Sequence, residues 1–301
     1  MKRILITGAT GLVGQEIVKQ CHAKNIAVNY LSTSKDKLKN ESNYKGFYWN
    51  PKANEIDIAC FHDVEIIINL AGASIAKRWT KSYKKEVINS RLQSLTLLYN
   101  TIQEHQIPIK KLVSASAIGI YPDSNTNYYE ETFNDFGTGF LTNVTTQWEA
   151  AALQFEKLSI DVSLIRIGIV LSNHGGALPK LVTPIKNFVG AVLGKGNQWQ
   201  SWIHIEDLAN LFLYVIEHNL QGIVNGVAPN PVQQCELVKA IGKSINRPIL
   251  LPKVPSVILR LLLGEMSAVV LESQRVSSQK IENLGFQFKY HHLQPALEDL
   301  R

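Results

Sequence analysis

The chain has 301 residues, 45% of them hydrophobic, enough for a large core in one α/β domain or in one domain with a smaller appendage. Lys and Arg exceed Asp and Glu by 31 to 25, a formal charge of +6, yet the lysine-containing stretches 35–39 and 77–85 are short and lack interleaved aromatics, so no nucleic-acid partner is expected and the excess suits an anionic cofactor. No run approaches the roughly 20 apolar residues of a membrane span, Lys2-Arg3 leaves no room for a leader, and Cys21, Cys60 and Cys235 have neither disulfide nor metal-ligand spacing; the expectation is a soluble cytoplasmic protein with buried reduced thiols, no metal and no membrane partner.

An apolar strand at Ile4–Thr7 leads straight into Gly8-Ala9-Thr10-Gly11-Leu12-Val13-Gly14, after which Val13, Ile17, Val18 and Cys21 recur at helical spacing and predict a helix over 12–24. A glycine-rich turn between a first strand and a first helix is where backbone N–H groups and a helix N-terminus receive a dinucleotide pyrophosphate; the spacing here is G-x-x-G-x-x-G. The second strand, Ala27–Ser32, closes as Ser32-Thr33-Ser34-Lys35. Hydroxyls and a cation suit a ribose 2′-phosphate, whereas a carboxylate would bond the 2′-hydroxyl, so NADP is favoured over NAD, with Asp36 still able to reach a ribose. The third strand, Val64–Leu70, ends at Asn69-Leu70-Ala71-Gly72, small residues that let the chain pass close to a flat adenine or ribose.

A helix over 80–105 precedes the strand Lys111–Ala115, which places Ser114 and Ser116 at the sheet edge where functional hydroxyls occur. The next helix, over 139–158, carries Val144, Trp148, Ala151, Ala152 and Phe155 on one stripe and packs on the sheet. Strands at Val162–Ile167 and Gly222–Val227 follow. After Pro229, a helix around Val232–Ile245, a strand at Ile249–Leu251 and helices through 255–275 suggest a second lobe. The pattern predicts a Rossmann-type doubly wound parallel sheet over 1–228, with parts of 175–205 contributing to a substrate cleft, and a small C-terminal α/β domain over 229–301. Ligands in such sheets lie at the carboxyl ends of the strands.

Further motifs run in order: Gly72-Ala73-Ser74-Ile75, Arg78-Trp79, Ser90-Arg91, Ser114-Ala115-Ser116-Ala117, Trp148-Glu149-Ala150-Ala151, Arg166 to Leu171, Gly175-Gly176-Ala177, Ser201 to Asp207 and Asn225 to Pro229. Over nearly the whole chain they resemble an atypical branch of the extended short-chain dehydrogenase/reductases. This is the NAD(P)-dependent or nucleoside-diphosphate-sugar epimerase family, sometimes labelled cell-division inhibitor, with a family-specific C-terminal domain. The resemblance implies that Gly8, Thr10, Gly11, Leu12, Val13 and Gly14 form the pyrophosphate loop and that Ser32, Thr33, Ser34 and Lys35 lie at the 2′-phosphate. It puts Leu70, Ala71 and Gly72 on the adenine side, Ile167 beside the nicotinamide, and Glu86, Arg91 and Ser114 near the cofactor. Many relatives have Arg where this chain has Thr33.

Ordinary extended members use Tyr-x-x-x-Lys, in which the ammonium lowers the phenol pKa for proton exchange. The matching helix reads Val144-Thr145-Thr146-Gln147-Trp148, without either group. Ser116, where the substrate-orienting hydroxyl lies in the superfamily, and Tyr121 are the catalytic candidates. His204 precedes Glu206 and Asp207, acids that favour an imidazolium and also suit a helix N-terminus, and a structural role is expected for it. Arg78-Trp79 forms either a wall over the cleft or a loop anchored by its indole, Lys84 and Lys85 are expected in solvent, and Arg247, Arg260 and Arg275 are candidate anion contacts. The expected function is an NADP(H)-binding oxidoreductase or epimerase of an unidentified small molecule. The alternative is a non-catalytic NADP(H) sensor signalling through a protein partner, with a possible link to cell division.

Overall fold

The computed structural model describes residues 3–301. The body of the sheet is seven strands: β1 (Arg3–Thr7), β2 (Ala27–Ser32), β3 (Tyr44–Asn50), β4 (Ile66–Asn69), β5 (Lys111–Ala117), β6 (Asp161–Ile167) and β7 (Gly222–Gly226). Their order is β7-β6-β5-β4-β1-β2-β3 and every neighbouring pair is parallel. Two short strands, Asn40–Glu41 and Glu55–Ile56, add antiparallel edges to β3. Ile4, Leu5, Ile6, Ile67, Ile68, Leu112 and Val113 are all fully buried, as strands covered on both faces require. The chain reverses its direction across the sheet between β1 and β4, so a crevice opens beyond the carboxyl ends of those strands.

The parallel pairing requires crossovers, and helices fill them on both faces. Helices α1 (Leu12–Ala23) and α5 (Ile205–Glu217) pack together on one side, α2 (Lys81–Glu104) and α3 (Phe140–Leu153) on the other. On α3 and the following turn, Val144, Trp148, Ala152 and Phe155 are buried as the stripe predicts, with Ala151 half-buried. A second apolar cluster joins α4 (Leu178–Lys186), α6 (Gln234–Ser244) and the C-terminal helix Leu293–Asp299 through Leu178, Ile185, Trp202, Leu237, Ile241 and Leu297. Residues 171–205 thus share a core with residues 228–300, while Ile281, Phe286 and Phe288 return to the core under the sheet.

Three local expectations change. No strand forms at Ile249–Leu251, where Leu250 is 66% and Leu251 45% exposed and no strand edge is available to pair with. The helical reading of 255–275 breaks at Gly264 into α7 (Ser256–Leu263), a 3-10 turn and Ala268–Leu271; Arg275–Val276 then pairs as a short strand with Tyr128–Tyr129. Strand β3 lies in a stretch to which the sequence pattern assigns no element. Cys21 and Cys60 are buried free thiols, the Cys21 pKa pushed up to about 12 by burial, whereas Cys235 is only half-buried.

His204 caps α5: its Nδ1 accepts the Glu206 N–H at 3.2 Å, and its ring lies 4.0 Å from that of Tyr290. The neutral ring therefore carries its proton on Nε2, 3.4 Å from an Asp299 carboxylate oxygen, and cannot offer that nitrogen to a metal despite the nearby Glu206 and Asp299. Burial lowers the His204 pKa, against the pull of Asp299 and Glu206, so the imidazolium those acids would favour gives way to a neutral ring in a structural, helix-capping place.

Two stability measurements follow from this packing. Phe155 is fully buried against Tyr99, and Phe155→Ala should cost about 3–5 kcal/mol, read as a lower urea midpoint with unchanged m-value. Because the folded state lowers the His204 pKa, the unfolded chain binds the extra proton first, and His204 contributes stability above about pH 6.5 that fades as pH falls toward its folded pKa. His204→Asn keeps a cap acceptor and removes the titration, so the stability gap between wild type and variant should narrow on acidification.

Candidate functional site

Beyond β1 the chain turns through Gly8 at φ +74° into α1. A Cβ on Gly14 would lie 2.3 Å from the Gly8 carbonyl oxygen and 2.6 Å from Ala9 Cα, so only glycine lets helix and loop close this tightly. The N-cap, Gly11, offers no capping side chain and the first turn holds no acid, which leaves the positive end of α1 open to an anion. Thr7 Oγ1 accepts the N–H groups of Leu70 and Ala71 at 3.1 Å, tying the loop after β4 to the end of β1.

From this cradle a cavity of about 450 Å³ runs across the carboxyl ends of the strands. Its walls include Gly8, Gly11, Leu12, Val13, Gly14, Leu70, Arg91, Ser116 and Ile167 among the residues expected from the sequence. They also include Val144 and Trp148, at the positions where Tyr and Lys were sought. The far wall comes from Trp199, Gln200 and Ser201 and from Ala268, Val269, Glu272 and Gln274.

Ser116 is buried at the end of β5, and its hydroxyl donates to Glu149 Oε1 at 2.5 Å. Glu149 also receives Arg166 Nε at 2.8 Å and Nη2 at 2.9 Å, while Arg166 Nη1 donates to the Tyr121 hydroxyl at 3.0 Å. That hydroxyl in turn donates to Asn225 Oδ1 at 2.8 Å. Tyr121 is 1% exposed, stacked on Tyr129, and its pKa is raised by burial. It belongs to this buried network and not to the cavity wall, so its placement does not suit the expected acid. Ser116 does reach the cavity, with its proton committed inward and its oxygen able to accept.

Other expected residues are distributed differently. Ser114 is fully buried between Asn69 and the backbone, Glu86 is exposed on α2, and Ala71 and Gly72 lie behind Leu70, off the cavity wall. Ser32 is buried and accepts the Ser34 N–H at 3.1 Å, Ser34 is half-buried, and Thr33 and Lys35 are exposed at the tip of β2. A separate hollow of about 540 Å³ beside this tip gathers Thr10 with His22, Lys37, Lys39 and Tyr44. The Trp79 indole anchors its loop by donating to Ile75 O and meeting Phe140 edge-on, and Arg78 is exposed. Lys84, expected in solvent, is instead half-buried and pairs with Glu265. Arg275 lies between the rings of Trp199 and Tyr128, Arg247 covers Phe188, Arg260 is exposed, and none of the three lines the cavity.

Two features were not legible from sequence. Arg91 crosses the Trp148 ring at 4.8 Å, a pairing that brings α2 to α3 and has no signature in either segment. Glu272 is half-buried at the far wall with no side-chain hydrogen bond or ion pair among the described residues. Burial, then Asp123, raises its pKa above the usual carboxylate value. Only its location within an expected helical stretch could be read in advance.

The model of the NAD dependent epimerase/dehydratase family matches residues 4–227, and a domain of unknown function matches residues 254–300. Epimerase family proteins of Staphylococcus aureus and Staphylococcus epidermidis are 39% and 38% identical over 301 residues, covering 100% of this chain and 99% of theirs. A crystal structure of human epimerase family protein SDR39U1 with NADPH superposes with TM-score 0.84 at 28% identity, covering 99% of this chain and 98% of that one. A nucleoside-diphosphate sugar epimerase from Corynebacterium glutamicum gives TM-score 0.79 at 26% identity over 99% of this chain and 58% of its own. No helix among the described residues is long and apolar enough to cross a membrane. With a Rossmann-type sheet in the 3-2-1-4-5-6-7 order and a glycine cradle at its crevice, the chain belongs to the NAD dependent epimerase/dehydratase family.

Proposed function

We propose that the protein is an NADP(H)-dependent oxidoreductase, or an epimerase working through the same hydride transfer, that acts in the cytoplasm on a small molecule with a largely apolar body. The observation that carries this reading is one continuous cavity joining the Gly8–Gly14 cradle to Ser116 and to the apolar wall of Trp199, Ala268 and Val269. The cradle residues fit a dinucleotide pyrophosphate, since the helix end is uncapped and a Cβ at Gly14 has no room. Thr33, Ser34 and Lys35, with Lys37 of the neighbouring hollow, favour a 2′-phosphate, and the human relative crystallised with NADPH supports that preference. The free thiols Cys21, Cys60 and Cys235 suit a reducing compartment.

A nicotinamide dinucleotide bound here supplies or accepts hydride. Ser116, its own proton held by Glu149, accepts a hydrogen bond from a substrate hydroxyl and so orients the carbon that bears it. Glu272, the carboxyl on the cavity wall whose pKa burial raises, is the group to give a proton to a carbonyl oxygen as the carbon is reduced and to take it back in the reverse direction. A second reading, the non-catalytic sensor, is favoured by Val144 and Trp148 in place of the usual Tyr and Lys and by the burial of Tyr121.

NADPH should bind at least about tenfold more tightly than NADH, measured by nicotinamide fluorescence, a gap of about 1.4 kcal/mol. Tighter NADH would reverse the reading of the β2 tip. Bound NADPH should be oxidised by some member of a panel of ketones, quinones and keto-sugars, and tight binding with no oxidation would select the sensor. With an active substrate in hand, Glu272→Gln should lower turnover about 10²–10⁴-fold while leaving the NADPH Kd unchanged.

A further inference from the structure

Helix α7 is amphipathic with its apolar side turned to solvent. Leu259 is buried, whereas Val257, Leu261 and Leu262 are 77%, 83% and 67% exposed and Ile258 is exposed beside them. At about 100° per residue these four occupy the arc away from Leu259, with Arg260 at one edge of it. A single exposed leucine is ordinary, but a contiguous apolar set marks a binding surface. Two neighbouring stretches extend it. Leu250 and Leu251 precede α7 in solvent, and the turn after α4 adds Phe188 and Val189. That turn and the chain following it are tied to the approach to α7 at three points: the Arg247 guanidinium lies 5.3 Å from the Phe188 ring, Lys253 Nζ donates to Lys195 O at 2.9 Å, and the Val254 N–H donates to Val192 O at 2.8 Å.

The charge of this face is as one-sided as its apolarity. Residues 186–197 and 246–264 contain Lys186, Lys195, Arg247, Lys253 and Arg260 and no Asp or Glu, so these two stretches carry five of the six positive charges in the chain's formal +6. All five cations are exposed, and none pairs with a carboxylate among the described residues. The next acid along the chain, Glu265, is taken by Lys84. A second copy of the chain would set these cations against their own kind across a two-fold axis, with no carboxylate to answer them. Protein partners are held chiefly through Trp, Tyr and Arg, with Leu and Val under-used, and the two stretches contain neither Trp nor Tyr. An anionic lipid layer needs no shaped groove and no matching carboxylate. Acyl chains take up aliphatic side chains, and Lys and Arg extend from an apolar surface to the headgroup level.

We propose that the outer face of α7, with the Phe188 turn beside it, docks the protein on an anionic lipid surface. Val257, Ile258, Leu261 and Leu262 enter the acyl boundary, and Lys195, Arg247, Lys253 and Arg260 meet the headgroups. The sequence-based expectation of no membrane partner rests on the lack of a spanning run; α7, at eight residues, lies in the interface and crosses nothing. One short helix buries too little apolar surface to hold the protein alone, so docking is reversible and depends on lipid charge and on salt. No residue of the Gly8–Gly14 cradle takes part, so docking and cofactor binding hold or fail separately.

The test is flotation of the full chain with vesicles of phosphatidylcholine containing about 30% phosphatidylserine, beside vesicles of phosphatidylcholine alone. Wild type should partition into the anionic vesicles at least about tenfold more strongly than into the neutral ones, and salt at about 1 M should remove the difference. Lys253→Gln combined with Arg260→Gln should lower partition into the anionic vesicles about fivefold per charge and leave the neutral ones unaffected. Val257→Ser combined with Leu261→Ser should lower partition into both. All four positions are exposed, and an unchanged urea midpoint shows that the variants fold. Sedimentation velocity reads the rival occupant: a dimer that Leu261→Ser dissolves, in a protein that floats with neither vesicle, would give the face to a second copy and overturn the proposal. A monomeric wild type that floats with neither vesicle also overturns it, as does flotation that the serine variant leaves unchanged or that is equal on the two vesicles.

Discussion

Arg166 sits on β6 at 1% exposure, and Glu149 from α3 is the group that neutralises it, through two parallel hydrogen bonds of 2.8 and 2.9 Å. Desolvating two ions costs several kcal/mol each, and removing either partner leaves a charge buried alone at a cost of about 3–5 kcal/mol. The bidentate geometry, the Tyr121 hydroxyl and the flanking faces of Tyr121 and Phe136 offset that penalty and hold the guanidinium pKa above its already high ordinary value. The pair pins α3 in rotation and height against β6. Because Glu149 adjoins Trp148, pinning one fixes the side of the helix that reaches the cavity, and Val144 follows one turn earlier. The same carboxylate accepts the hydrogen bond of the Ser116 hydroxyl. A structural ion pair thereby decides which atoms of β5 and α3 a ligand meets.

The sheet was readable because each of its parallel strands is a short apolar run between turn residues, and that local pattern survives any arrangement of neighbours. Ile4–Thr7, Ala27–Ser32 and Val162–Ile167 fall within a residue of their observed bounds. β3 escaped notice because its Tyr44, Phe47 and Trp49 are interrupted by Lys45 and Gly46; pairing with β2, not hydrophobic alternation, makes it a strand. Ile249–Leu251 erred the other way: three apolar residues have strand propensity, but beyond α6 no edge meets them. Propensity without a partner leaves Leu250 in solvent.

The site divided along the same line. The glycine loop, Leu70, Ser116 and Ile167 follow strands directly in sequence, so finding the strand finds them. Tyr121 also follows its strand closely, yet the 3-10 turn Ile118–Ile120 carries it away from the cavity and under the sheet edge, where Asn225 and Arg166 take its hydroxyl. Glu272 and Gln274 come from one segment and Trp199 from another far from it in the chain. They meet because the Trp199 N–H donates to Ser273 Oγ, Ser201 Oγ donates to Gln274 O and the Val276 N–H donates back to Ser201 Oγ, and no local pattern encodes that meeting.

Folding satisfies nearly every buried polar group, and a group left without a partner loses about 1–3 kcal/mol that a simple apolar replacement would recover. Arg91 Nε and Trp148 Nε1 are two such groups within one ring contact of each other, buried behind a cavity wall that both side chains help to form. A core under selection for stability alone would place a leucine or methionine at either position. The carbonyls of Ala73 and Val87 hold the Arg91 charge in place without cancelling it, unlike the carboxylate that neutralises Arg166. One guanidinium is thus neutralised to fix α3, and the other is kept charged beside the helix so fixed. The first fixes the helix that shapes the cleft, and the second leaves a guanidinium in its lining.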